Sequence, residues 1–101
     1  MIEITAKETS TRCSIEVKGH AGYNPGNDIV CAAVSALIQT YAESARNNIG
    51  DSWLVSCHIE SGDALVESAG KTAIYRSCVC GLLMLRNAYP DNIKIRIEST
   101  K

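Results

Sequence analysis

The sequence of 101 residues contains no phenylalanine, a single tryptophan and two prolines. Without phenylalanine the core must be mostly aliphatic, and we expect the four tyrosines to lie near its edges. No apolar run approaches the ~20 residues that span a bilayer, and no charged-then-apolar segment precedes the first alternating stretch. These absences indicate neither export nor membrane insertion, so we expect a cytoplasmic protein.

An excess of charge of either sign is also missing. Ten basic and eleven acidic residues give a formal net charge of −1, and no Lys/Arg cluster is available to neutralise a series of phosphates. The sequence therefore excludes a strongly basic nucleic-acid-binding protein. Five cysteines are an odd number, and without an export signal they are expected to be free thiols in a reducing compartment.

The hydrophobic pattern predicts one domain, residues 1–101, with a single two-layer core. Apolar and polar residues alternate, as in strands, over residues 2–7, 13–18, 53–60, 64–68 and 93–98. Apolar residues recur at helical spacing from residue 29 to about 48 and from 71 to about 89. The order ββαββαβ predicts an α+β two-layer sandwich, in which both helices cover one face of a mainly antiparallel sheet.

The segment between the second strand and the first helix carries the candidate chemistry. His20 follows the strand, residues 23–27 are turn formers, and Asp28 is a good N-cap that makes Cys31 the third helical residue. The first N–H groups of a helix lack internal partners and the dipole is positive there, which stabilises a thiolate. A neighbouring imidazole can take the thiol proton, and such a pair forms an activated nucleophile.

Each of these residues also has a plain structural interpretation. Cys31 is a small hydrophobe if buried, as most free cysteines are, and His20 is then only a strand-end residue. The loop over residues 23–27 is either a mobile lid over a site or an ordinary connection. Asp28 is expected to cap the helix and, as a second possibility, to orient His20. Because its charge would oppose a thiolate, it is not assigned a catalytic role.

The other cysteines and the second histidine are assigned by position. Cys13 shares the core-facing side of its strand and is predicted to be structural. Neighbours on a strand point to opposite faces, so Cys57 is predicted to be in the core and His58 in solvent, and the two do not form a dyad. Cys78 and Cys80 are two residues apart on a helix and do not share a face. We therefore predict no metal site and no cofactor.

The run Gly19-His20-Ala21, followed by Gly26 and by residues 28–37, closely resembles the signature of the ribosomal-processing cysteine protease (Prp) family. The motif is long and mixes chemically unrelated residue types. The resemblance implies that His20 and Cys31 are a catalytic dyad. It further implies a protein substrate, the short N-terminal extension of bacterial large-subunit ribosomal protein twenty-seven, and a two-layer fold. It also implies a homodimer, for which an exposed edge strand could supply the contact.

Other functions remain open at this point. The chain could be a non-catalytic binding module on the ribosome, docking through residues 19–28 with Cys31 buried, or a redox-sensing thiol protein. A protease of this type could also process a phage structural protein that carries a similar cleavage sequence. The protease and redox hypotheses both predict one unusually fast thiol at position 31, whereas the binding hypothesis predicts none.

Overall fold

The computed structural model describes residues 1–100 and contains seven main elements in the predicted order. They are strands β1 (Ile2–Thr9), β2 (Cys13–Lys18), β3 (Ser52–Glu60), β4 (Asp63–Gly70) and β5 (Ile93–Thr100), and helices α1 (Ile29–Arg46) and α2 (Ala73–Ala88). A short 3-10 turn, Ile49–Asp51, leads from α1 into β3. Within residues 1–100, neither helix is long and apolar enough to cross a membrane.

The five strands form one sheet in the order β3-β4-β2-β1-β5. Three of the four pairings are antiparallel, and β5 lies parallel to β1 at one edge. This parallel pairing follows from α2, which crosses over the sheet and returns the chain to the side of β1. The predicted α+β architecture with a mainly antiparallel sheet is confirmed.

The core lies between the helices and one face of the sheet. Every second residue of β1 is buried, as the alternation predicted, and α1 buries a stripe that includes Val30, Val34 and Ile38. Gly81 explains how closely the helices pack, because a Cβ at that position would lie 3.0 Å from the Leu37 methyl carbons. Gly81 of α2 therefore packs directly against α1.

The expectation that the tyrosines lie at the core edges is wrong for two of the four. Tyr41 and Tyr75 are only 1% and 4% exposed, and their ring centroids are 5.9 Å apart. The Tyr41 hydroxyl lies 2.6 Å from Ser68 Oγ and donates to the Cys13 carbonyl at 3.3 Å. Burial is tolerated because these partners replace the water that the hydroxyl loses.

The same contacts give a stability prediction. We expect Tyr41→Phe to destabilise the protein by about 1–3 kcal/mol, because it leaves the buried Ser68 hydroxyl without this partner. For a domain of this size each kcal/mol lowers the melting temperature by roughly 4–8 °C. Calorimetry should show the loss for Tyr41→Phe but not for Tyr23→Phe, since the Tyr23 side chain is half exposed. Equal melting temperatures for the two variants would contradict the assignment.

The prediction that Cys57 belongs to the core is also wrong, because Cys57 is exposed. It pairs with the buried residue Val66 and so lies on the helix side of the sheet. However, β3 is an edge strand, and its register shifts at a bulge between Leu54 and Ser56. His58 points to the opposite face and is exposed, as predicted.

Candidate functional site

Helix α1 begins as the sequence predicts. Asp28 is the N-cap, and its Oδ1 accepts hydrogen bonds from the N–H groups of Val30 at 2.9 Å and Cys31 at 3.0 Å. Cys31 therefore stands in the first turn of α1, where the helix dipole is positive.

The second carboxylate oxygen of Asp28 holds the loop that precedes the helix. Oδ2 accepts from the N–H groups of Tyr23 at 3.0 Å and Asn24 at 3.3 Å. Partial desolvation works against the charge, but the four backbone donors outweigh it and hold the pKa of Asp28 below its usual value. The cap is therefore ionised at neutral pH and is lost only as the pH falls through that lowered pKa. No hydrogen bond joins Asp28 to His20 among the described residues, so the orienting role is not seen.

The loop over residues 23–27 is also held from outside. The Tyr23 ring makes an edge-on contact with the Tyr89 ring, at a centroid distance of 5.3 Å. Tyr89 is the C-cap of α2. The residues beside the candidate site are thus tied both to the start of α1 and to the end of α2.

His20 lies just beyond β2, against the turn that joins β3 and β4. Gly62 in that turn has a φ of +73°, and a Cβ there would lie 2.7 Å from His20 Nε2. The neighbouring Gly19 N–H donates to the Gly62 carbonyl at 2.9 Å. The imidazole therefore packs over a glycine, and a side chain at position 62 would displace it.

The sulfur of Cys31 faces the segment that carries His20. Its Sγ accepts a hydrogen bond from the backbone N–H of Ala21 at 3.3 Å. Ala21 is buried and Cys31 is half-buried, so this contact is partly buried. Cys31 is thus neither sealed in the core nor freely exposed, which differs from the structural interpretation of a buried small hydrophobe.

His20 and Cys31 line the same cavity, which has a volume of about 450 Å³. It lies between the first half of α1 and the β3–β4 turn. Its apolar lining includes Val17, Val34, Ile38, Ile59 and Ala64, and its polar lining includes Ser35, Gln39, Glu60, Ser61 and Asp63. A cleft with apolar walls and a few polar groups is the usual form of a ligand site.

Within residues 1–100, no direct hydrogen bond joins the His20 ring to Cys31. The ring is exposed and rotation about its side-chain bonds is fast compared with catalysis. Apo hydrogen bonds between catalytic groups are often long and shorten when substrate binds. The His20 ring and the Cys31 thiol can therefore both contact the same group of a ligand bound in this cavity.

A second cluster lies beside this cavity, on the open face of the sheet. Ligand atoms of His58, Glu60 and Asp63 lie within 4.8 Å of one another. All three side chains are well exposed, and the Lys18 ammonium lies 2.5 Å from Asp63 Oδ1. This ammonium lowers the pKa of Asp63 and already supplies the positive charge. We interpret the cluster as a surface ion-pair network.

Three contributors to the site were not identified from the sequence. They are the Ala21 N–H beside the sulfur, Gly62 beneath the imidazole, and Asn92, whose Nδ2 donates to the Ala21 carbonyl at 3.0 Å. The sequence around Gly62, Ser-Gly-Asp, indicates only a tight turn. No sequence pattern connects residues 21 and 92.

The five thiols differ in how exposed they are to solvent. We therefore expect them to react with an alkylating reagent at different rates. Burial raises the pKa of Cys78 to about 12, and it raises the pKa of Cys13 more than the nearby Arg76 lowers it. At pH 7.5 we expect both to stay unmodified by iodoacetamide, because the thiolate is the reactive form. Cys57 and Cys80 are exposed and should react at ordinary rates, with Cys31 fastest because of its position on the helix. Peptide mass spectrometry over time measures each rate, and faster labelling of Cys57 or Cys80 than of Cys31 would contradict the prediction.

A thiol in the first turn of a helix and an imidazole lining one cleft are features of cysteine hydrolases. The chain belongs to the cysteine protease Prp family, whose model matches residues 1–94, and it is accordingly a cysteine protease. Among curated proteins no sequence matches it.

Solved structures support the same fold. The ribosomal processing protease Prp from S. aureus, crystallised with a covalently linked product peptide, superposes with a TM-score of 0.81 at 19% identity, covering 96% of this chain and 99% of that one. The same protease with a substrate peptide gives 0.73 at 16% identity, with the same coverage. SMU.848 from Streptococcus mutans gives 0.73 at 22% identity, covering 99% of this chain and 96% of that one.

Proposed function

We propose that this protease removes the short N-terminal extension of bacterial large-subunit ribosomal protein twenty-seven, with Cys31 as nucleophile and His20 as general base and acid. The observation that carries the assignment of residues is that both side chains line one cavity, with the sulfur in the first turn of α1. Family membership over residues 1–94 supports the peptide-bond chemistry.

The first half of the reaction is acyl transfer. His20 takes the proton of the Cys31 thiol, and the thiolate attacks the scissile carbonyl carbon to form a C–S bond. The carbonyl π electrons move to oxygen, which becomes an oxyanion. When the tetrahedral intermediate collapses, the C–N bond breaks, and the imidazolium of His20 gives its proton to the leaving amine.

The structure narrows the choice of donors for the oxyanion. The N–H groups at the start of α1 are the first candidates, but those of Val30, Cys31 and Ala32 already donate to Asp28. The Ala21 N–H, by contrast, points at Sγ from 3.3 Å and so lies beside any carbonyl that the sulfur attacks. We assign the Ala21 N–H as an oxyanion donor, moving from sulfur to oxygen as the charge moves.

The second half releases the product. A water molecule loses a proton to the neutral His20 and adds to the thioester carbonyl. Collapse of this intermediate breaks the C–S bond, returns the proton to sulfur and frees the carboxylic acid. The cavity volume of about 450 Å³ lies within the range of small-ligand sites, which is enough for a side chain of the acyl group and a water molecule.

The substrate assignment is tested with synthetic peptides. Incubation with a peptide spanning the extension and the mature N-terminus should give two fragments by mass spectrometry, one of them starting at the mature N-terminus. A peptide of the same composition in scrambled order is the control. Cleavage of the scrambled peptide at a similar rate, or of a phage structural-protein peptide in preference to the ribosomal one, would refute this substrate.

We also propose that the protein works in the cytoplasm. We further propose that it is a homodimer, as the family resemblance implies. Both edge strands carry exposed apolar side chains, Trp53 and Val55 on β3 and Ile97 on β5. Such edges are suited to pairing with a second chain. Multi-angle light scattering should give twice the chain mass at micromolar concentration, and a monomer mass would refute the proposal.

A further inference from the structure

The connection between α2 and β5, residues 89–92, is held by backbone hydrogen bonds on both sides. The Asn92 N–H donates to the Tyr89 carbonyl at 3.0 Å, which closes a turn around Pro90. The Asn92 carbonyl accepts from the Ile2 N–H at 2.9 Å, which fixes the turn to β1. The side chain of Asn92 therefore leaves a backbone that is held on both sides.

This side chain reaches the segment beside the reactive sulfur. Asn92 Nδ2 donates to the Ala21 carbonyl at 3.0 Å, across 71 residues of sequence. The N–H of Ala21 donates to Cys31 Sγ. The carbonyl of Ala21 thus accepts a hydrogen bond from Asn92, and its N–H donates one to Sγ of Cys31.

We propose that Asn92 is a positioning residue, which holds Ala21 so that its N–H is directed at the sulfur of Cys31 and at the oxyanion formed there. A backbone donor in a loop is free to turn away, and a preorganised donor is worth more because it does not reorganise during the reaction. Asn92 does not touch the substrate in this scheme. The inference rests on the proposed role of Cys31 as nucleophile.

The test measures alkylation of Cys31 by peptide mass spectrometry across pH 5–9. The background carries Cys57→Ser and Cys80→Ser, because these two thiols are exposed. In Asn92→Ala the bond to the Ala21 carbonyl is lost and the Ala21 N–H is no longer held against the sulfur. We expect the rate at pH 7 to fall about tenfold, the size of effect for weakening one hydrogen bond to a charged group. The pH of half-maximal rate should rise by about one unit, because a tenfold change in the thiolate fraction corresponds to one unit. The rate of peptide cleavage should fall with it.

Two variants separate positioning from general destabilisation. Asn47→Ala removes a comparable contact, since Asn47 Nδ2 donates to the Glu43 carbonyl at 2.8 Å at the far end of α1. It should change the melting temperature without moving the alkylation profile. Asn92→Leu keeps the approximate size of the side chain, removes the donor and adds no charge, and it should reproduce the shift even if Asn92→Ala folds poorly.

A result that overturns the role of Asn92 differs from a result that refutes the proposed function. Among the titratable residues, His20 lines the same cavity as Cys31 and Asp28 caps α1, whereas the side chains of Glu60 and Asp63 belong to the ion-pair network with His58. None of these groups is altered by Asn92→Ala or Asn92→Leu. An unchanged alkylation profile in folded Asn92→Leu would overturn the positioning role, whatever the cleavage activity. Failure of Cys31 to support cleavage would instead refute the proposed function, while the alkylation profile would still report on Asn92.

Discussion

Replacing Cys31 with alanine is expected to abolish cleavage of the extension peptide while leaving the fold intact. Without the sulfur there is no acyl intermediate, and loss of the nucleophile in a well-studied protease costs roughly 10⁶-fold in rate. Alanine is the best helix former, and the Asp28 cap is kept because it bonds the backbone N–H of residue 31. We therefore expect a melting temperature close to that of the wild type.

The matched control is Cys80→Ala, which removes an exposed thiol from α2. It should cleave the peptide at the wild-type rate, as measured by chromatography of the fragments. Fluorescence anisotropy should show that Cys31→Ala still binds the labelled peptide, because the walls of the cavity are unchanged. Cleavage by Cys31→Ala at the wild-type rate would end the assignment of the nucleophile.

The fold could be predicted largely because its signals are local. Period-two alternation marked all five strands, and Asp28 marked the start of α1 at the observed residue. Alternation tells which face of the sheet a side chain is on, but not how far that strand lies from the helices. Cys57 was misplaced for this reason, because it lies on the helix side of an edge strand. Tyr41 was misplaced because its buried partner Ser68 is 27 residues away in sequence.

For the candidate site, too, the local features were predicted from the sequence and the long-range contacts were not. The position of Cys31 in the first turn of a helix and the nearby His20 follow from the local sequence, whereas their assignment as a dyad rests on the resemblance. The groups that hold these residues in place come from distant parts of the chain. Gly62 supports the imidazole from the β3–β4 turn, and Asn92 reaches Ala21 from the connection after α2. Such contacts exist only once the sheet has brought the elements together, so a single sequence does not reveal them.

Replacing His20 with alanine is expected to lower the rate of peptide cleavage by about 10²–10⁴-fold, the usual contribution of a general base. The loss should be smaller than for Cys31→Ala, because a thiolate in the first turn of a helix keeps some nucleophilicity without its base. The cavity left beside Gly62 has room for a small molecule, so added imidazole should restore part of the activity. Initial rates with and without imidazole, across pH 5–9, measure both effects.

The only other histidine provides the matched control for this prediction. His58 is exposed on the open face of the sheet, where it faces Glu60 and Asp63 rather than Cys31. His58→Ala should therefore keep the wild-type rate and the same dependence on pH, with no response to imidazole. Equal losses in the two variants would show that the effect is a general one on charge or folding. Full activity in His20→Ala would mean that another group accepts the thiol proton, and the dyad would have to be abandoned.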